Sequence, residues 1–179
     1  MYVQSKLILG QSALKKKKKT VKLDNLFDLA WAIAEAEARA LGSDVIEPMH
    51  FLLAALKIID VDFPSQLEKA DISSEVWKNM CQDAQKVQQY LDVLPEKITM
   101  VRRRIRHRLT RTAKPPIPGK QVIHRSRKTR AAFFDAANHA DGEVITLLQL
   151  MESMFDLGFL DVSDMRWRAP TKTFRKKGK

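Results

Sequence analysis

Apolar residues recur along the chain at helical spacing, and no block alternates with the period of two that a strand requires. In the first block Leu26, Ala30, Ile33, Glu37 and Ala40 fall at steps of three or four, in a stretch rich in alanine, leucine and glutamate. This predicts a helix over 23–41. Small residues crowd it (Ala30, Ala32, Ala34, Ala36, Ala38 and Ala40), so neighbouring helices can approach its backbone closely. Gly42 stops it, because glycine accepts the left-handed conformation that commonly closes a helix. Ser43, Asp44 and Glu47 with Pro48 open a second helix over 47–58, proline being tolerated in a first turn. From His50 to Leu56 nearly every side chain is apolar, which reads as a helix buried on most of its surface. The two form a hairpin that needs other helices to cover it.

Beyond Pro64 a short helix is expected to about residue 70. Asp71 and Ser73 cap a longer one to about Leu94, with Val76, Trp77, Met80, Ala84, Val87 and Leu91 on one face. Pro95 starts another helix to about Thr112. Its apolar stripe is Ile98, Val101, Ile105 and Leu109, while Arg102, Arg103, Arg104, Arg106, Arg108 and Arg111 occupy the rest. Lys114 to Lys120, KPPIPGK, is a loop by its prolines and glycine. Helices follow over 126–140 and 146–157, with a short helical turn near 162. The expected fold class is all-α.

A weaker copy of the first hairpin lies in this last part. Ile33, Ala36 and Ala40 are echoed by Phe133, Ala136 and Ala140, and Val45-Ile46 by Val144-Ile145. Gly42 answers to Gly142 once a one-residue deletion is allowed, and Asp71-Ile72-Ser73 answers to Asp161-Val162-Ser163. Two copies are too few for a solenoid, so the pattern reads as a tandem duplication folded into one domain. Its parts are repeat one over 23–94, an inserted basic helix and proline loop over 95–124, and repeat two over 125–165, all within a domain of 22–165. Residues 1–21 and 166–179 read as basic flexible tails.

The stretch KLDNLFDLAWAIAEAEARALGSDVIEPMHFLLAALK, from Lys22 to Lys57, closely resembles the first repeat of the Clp amino-terminal domain. This is the double-repeat helical module that precedes the ATPase rings of Clp chaperones, and the likeness is greatest to the ClpB and ClpA types. The stretch from Ser126 to about Asp164 resembles the second Clp repeat less closely. Together the two quoted stretches cover about 75 residues. The basic helix between them departs from the family, whose repeats are usually joined by a shorter linker.

The resemblance implies a non-catalytic role in capturing unfolded polypeptide, or in docking an adaptor, a Clp-type AAA+ ATPase or a protease. The physical means is an apolar groove between helices, rimmed by charge. Carried over by position, its residues are Phe27 near the start of the first helix, Phe133, Phe134 and Ala137 on the groove wall, and Glu143 and Leu148 at the entry to the last hairpin. Phe27 and Leu148 stand where ClpB-type sequences tend to be polar. Adjacent helical positions point about 100° apart, so one of Phe133 and Phe134 is expected inside and the other partly exposed.

Charge widens the choice of partner. The formal net charge is +11, concentrated in Lys15–Lys19, Arg102–Arg111, Arg125–Arg130 and the tail from Arg166. Such runs are usually solvated, yet together they attract acidic partners, and a nucleic-acid-binding protein using Arg102–Arg111 is the alternative reading. Aromatic residues suited to base stacking are nearly missing from these runs, which counts against it. No apolar run is long enough to span a membrane.

Enzymatic motifs are not found. Gly119-Lys120 lacks the spacing and the hydroxyl of a phosphate loop, and His50, His107, His124 and His139 have no ligands at metal-binding spacing. His50 reads as a buried histidine bonded to its turn, which outweighs a catalytic role. No cofactor is expected. The single cysteine, Cys81, cannot form an internal disulfide. The lysines follow the apolar patch at the start of the chain, which argues against a secretory signal; residues 1–23 hold no acidic residue, as a transit peptide would, but also no arginine, which argues against one. A cytoplasmic protein is the default.

Overall fold

The computed structural model describes residues 22–60, 73–111, 115–117, 122–140 and 144–161. The expected tails, the short helix after Pro64, the turn near 162 and the loop residues Gly142 and Glu143 lie outside these ranges.

The described chain is built from helices. Helix α1 spans Asn25–Ala40 and begins where the Asp24 carboxylate accepts the Phe27 N–H at 2.5 Å. It ends as the sequence implies, with Gly42 at φ 65° and the Ser43 N–H returning to the Ala38 carbonyl at 2.9 Å. Helix α2, Pro48–Ile58, is clamped at its start by the Glu47 N–H donating to His50 Nδ1 at 3.0 Å. Helix α3, Ser74–Leu91, is capped by Ser73 and closed by Asp92 in the left-handed region. Helix α4, Pro95–Thr110, opens on its proline. Helix α5, Arg127–His139, is capped by Ser126, and α6, Leu147–Asp156, by a reciprocal pairing of Thr146 and Gln149. Each boundary falls within a few residues of expectation, because caps and prolines are local signals.

Four two-residue strands, which the apolar pattern does not predict, correct the purely helical expectation in detail. A strand that short has no period to read. Strand β1 (Lys22–Leu23) pairs in parallel with β4 (Val144–Ile145), and β2 (Val45–Ile46) pairs in parallel with β3 (His124–Arg125). Each ladder is extended by one bond into the following cap. The Asp24 N–H donates to the Ile145 carbonyl at 3.2 Å, and the Ser126 N–H to the Ile46 carbonyl at 3.1 Å. Thr129 Oγ1 also donates to the Ile46 carbonyl, at 2.7 Å.

Helix α2 is the centre of the core. Phe51, Leu52, Leu53 and Leu56 have almost no accessible surface, and the helix packs against α1, α3, α4 and α6. Where α1, α2 and α5 meet, the rings of Phe27, Trp31, Phe51 and Phe133 lie at centroid distances of 5.2 to 6.2 Å, mostly edge to face. The Arg125 guanidinium covers this cluster, 4.8 Å from the Phe133 centroid and 5.4 Å from Trp31.

Candidate functional site

The residues expected to line a groove divide between core and surface. Phe27 and Phe133 are both 0 % exposed, so they are core residues, and the expectation that they face a partner is corrected. The reason is rotational: Phe133 lies inward with Ala132 and Ala136, and Phe27 with Ala30, all of them buried. Phe134, one position on and turned by about 100°, is 54 % exposed, the division expected of the two neighbours. Ala137 and Leu148 are half-buried, and Glu143 lies outside the described residues. What reaches the surface is therefore Phe134 with Ala137 beside it one turn on, Leu148 at the start of α6 and exposed Val144 on β4.

A second apolar area escaped the sequence reading. Tyr90 near the end of α3 stacks edge-on with Phe155 of α6 at 5.9 Å, and Tyr90 and Leu157 are both exposed. The available signal was weak, since an aromatic residue on the polar side of an amphipathic helix is common.

The arginines of α4 also divide. Arg102 reaches Asp60 at 2.6 Å, and Thr99 Oγ1 donates to the same carboxylate at 3.1 Å. Arg106 grips both oxygens of Glu37, its Nε lying 2.9 Å from Oε2 and its Nη2 bonding Oε1. That hydrogen bond is the main reason the Arg106 pKa rises. These two arginines fasten α4 to the domain, which corrects the expectation that all six serve an acidic partner. The remaining four, Arg103, Arg104, Arg108 and Arg111, are exposed together with His107. Arg108 Nη2 also lies 3.9 Å from Met49 Sδ. The start of α5 adds exposed Arg127, Lys128 and Arg130, cations at the helix end that favours anions.

Two ionisable groups, half-buried Asp24 and buried His50, sit at helix starts. Burial pushes the Asp24 carboxyl up to about 6, assisted by the Asp83 and Asp28 charges and opposed by the Phe27 N–H. Its Oδ2 has no hydrogen-bond partner among the described residues. Burial pushes His50 down to about 4, against the pull of Glu37, so it is neutral and free to accept from Glu47 through Nδ1. This makes His50 part of a helix cap.

Among the described residues no group of three or more His, Cys, Asp and Glu side chains is placed to hold a metal ion. No helix among them is long and apolar enough to cross a membrane. No family model, curated protein or solved structure matches the chain.

Proposed function

We propose that the chain is a non-catalytic protein-binding module of the Clp type, built from two helical hairpins related by duplication, with α4 inserted between them. The crossed ladders carry the reading. The strand before α1 pairs with the strand before α6, and the strand before α5 pairs with the strand before α2. Each hairpin thus lends the other the same kind of edge, closed by the same bond from the residue after the strand. Two unrelated hairpins have no reason to exchange edges reciprocally, whereas two copies of one unit do.

This pairing aligns Leu23 with Arg125, and so Trp31 with Phe133, Ala30 with Ala132 and Ala34 with Ala136. Phe133 then answers to Trp31 in place of Ile33, the partner suggested by the letter pattern. The alanines matched in this register are all fully buried, which supports the corrected alignment. Capture is assigned to the apolar side chains that stay at the surface of the second hairpin, Phe134, Val144 and Leu148. An extended or helical apolar peptide seated there would bury them.

The test is a pull-down with the full chain against Clp ATPase rings, a Clp protease core and a reduced, unfolded model protein. Binding to at least one, lost in Phe134→Asp/Leu148→Asp while the far-ultraviolet spectrum is unchanged, is the expected result. Binding to none of them, or binding indifferent to both substitutions, overturns the proposal.

A further inference from the structure

The Arg125 guanidinium lies over the rings of Phe133 and Trp31, and among the described residues it has neither an ion pair nor a hydrogen bond. A ring face attracts the cation's charge but gives its fork of N–H donors no oxygen. The side chain is half-buried, so water supplies only part of what is missing. Burial, and after it the Arg130 charge, hold the Arg125 pKa below the usual arginine value, so a second cation stands near the first. The exposed Arg130 side chain has no ion pair or hydrogen bond among the described residues either.

Packing does not require a charge at position 125. Arg125 stands opposite Ile46 in one ladder as Leu23 stands opposite Ile145 in the other, and Leu23 packs on the core as an apolar side chain. From Arg130 the flank of α5 continues into apolar ground. Turning at about 100° per residue, the helix puts Arg130, Phe134 and Ala137 within an arc of about 60°. Phe133, the ring beneath Arg125, lies about 40° inward of Ala137. Two cations without anions thus adjoin an exposed ring and a half-buried alanine along one side of α5.

We propose that Arg125 and Arg130 form a receptor for a carboxylate, and that the strip they begin takes a polypeptide segment with an acidic side chain about one helical turn from an apolar one. The carboxylate sits between the two guanidinium groups, where it meets the free donors of Arg125 and turns the repulsion of the pair into shared attraction. The apolar side chain settles on Phe134 and Ala137. A duplex backbone would meet the two charges but leave Phe134 uncovered, which favours a polypeptide. The inference rests on the reading of Phe134 as a capture residue, and it names the class of segment captured.

Fluorescence anisotropy of the full chain is read with two labelled leucine-rich peptides, alike except that one carries Glu, and the other Gln, one helical turn from a leucine. The Glu peptide is expected to bind about fivefold to tenfold more tightly at low salt, and raising the salt is expected to remove the difference. Arg125→Leu, which places at 125 the side chain found at 23, is expected to abolish the preference and leave the Gln peptide unchanged. Phe134→Ser is expected to weaken both peptides. If Arg125→Leu unfolds early, Arg130→Gln on the surface gives the second reading, a severalfold loss for the Glu peptide alone. Equal binding of the two peptides, or a preference that survives both arginine variants, overturns the inference; if that binding still depends on Phe134, capture stands without it. Binding of neither peptide overturns both. A short DNA duplex that displaces the Glu peptide at a lower concentration than the unlabelled peptide does would assign the arginines to nucleic acid and overturn the inference as well.

Discussion

Burial displaces His50 and Asp24 in opposite directions, and the two shifts overlap in pH. His50 titrates near 4 when folded against 6.5 when exposed, so on acidification the unfolded chain takes the proton first. Its contribution is fully present above pH 6.5 and lost as pH falls through 4. Asp24 titrates near 6 when folded against 3.8 when exposed, so the folded chain takes the proton first. Its contribution is fully present below pH 3.8 and lost as pH rises through 6. Each is on the order of 3 kcal/mol, and between pH 4 and 6 they cancel. Asp24→Asn is therefore expected to make stability fall on acidification through that range. His50→Gln, whose amide can still accept from the Glu47 N–H, is expected to make it rise. Urea midpoints across the range check both, and identical slopes in parent and variants would refute the assignment. The aromatic pair makes a second prediction at this scale. Phe133→Ala should cost about 3–5 kcal/mol, and Phe134→Ala about 0.5 kcal/mol or less, by chemical denaturation.

Among the elements, α4 differs most from what its composition suggests. Its arginines read as a solvated or partner-binding run, yet Arg102 and Arg106 are the fastenings that hold it to Asp60 and Glu37. Nothing local to α4 announces this, because both carboxylates are remote in sequence. The helix itself was legible, since Pro95 starts it and Ile98, Val101 and Ile105 are spaced to face a core. Arg106→Ala leaves the Glu37 carboxylate buried without its clamp and should cost about 3–5 kcal/mol. Glu37→Ala combined with it should recover part of that loss, measured as a double-mutant cycle. Arg103→Ala, on the exposed face, should stay within about 0.5 kcal/mol of the parent.

For the whole molecule, the decisive contact is where the two hairpins meet around Phe27, Trp31, Phe51 and Phe133. Crossed parallel ladders bring these rings together, and each ladder joins segments remote in the chain, Lys22 with Val144 and Val45 with His124. Ile46→Pro would remove the N–H that β2 contributes to its parallel ladder with β3, and would disturb the fully buried Ile46 site whose carbonyl receives both Ser126 and Thr129. It is expected to loosen α5 and α6 together, seen as faster amide exchange in both, while exchange confined to α2 would show the hairpins to be independent.

The sequence alone determined the helices and their ends, because caps, prolines, Gly42 and the apolar period act within a few residues of themselves. It also made it the expectation that Phe133 and Phe134 take different environments, since neighbours on a helix point about 100° apart. Tertiary structure decided which of them turned inward, which arginines became fastenings and which stayed outside, and that Phe27 belongs to the core. Those choices depend on what lies across the interface, and the residues across it are far away in the chain.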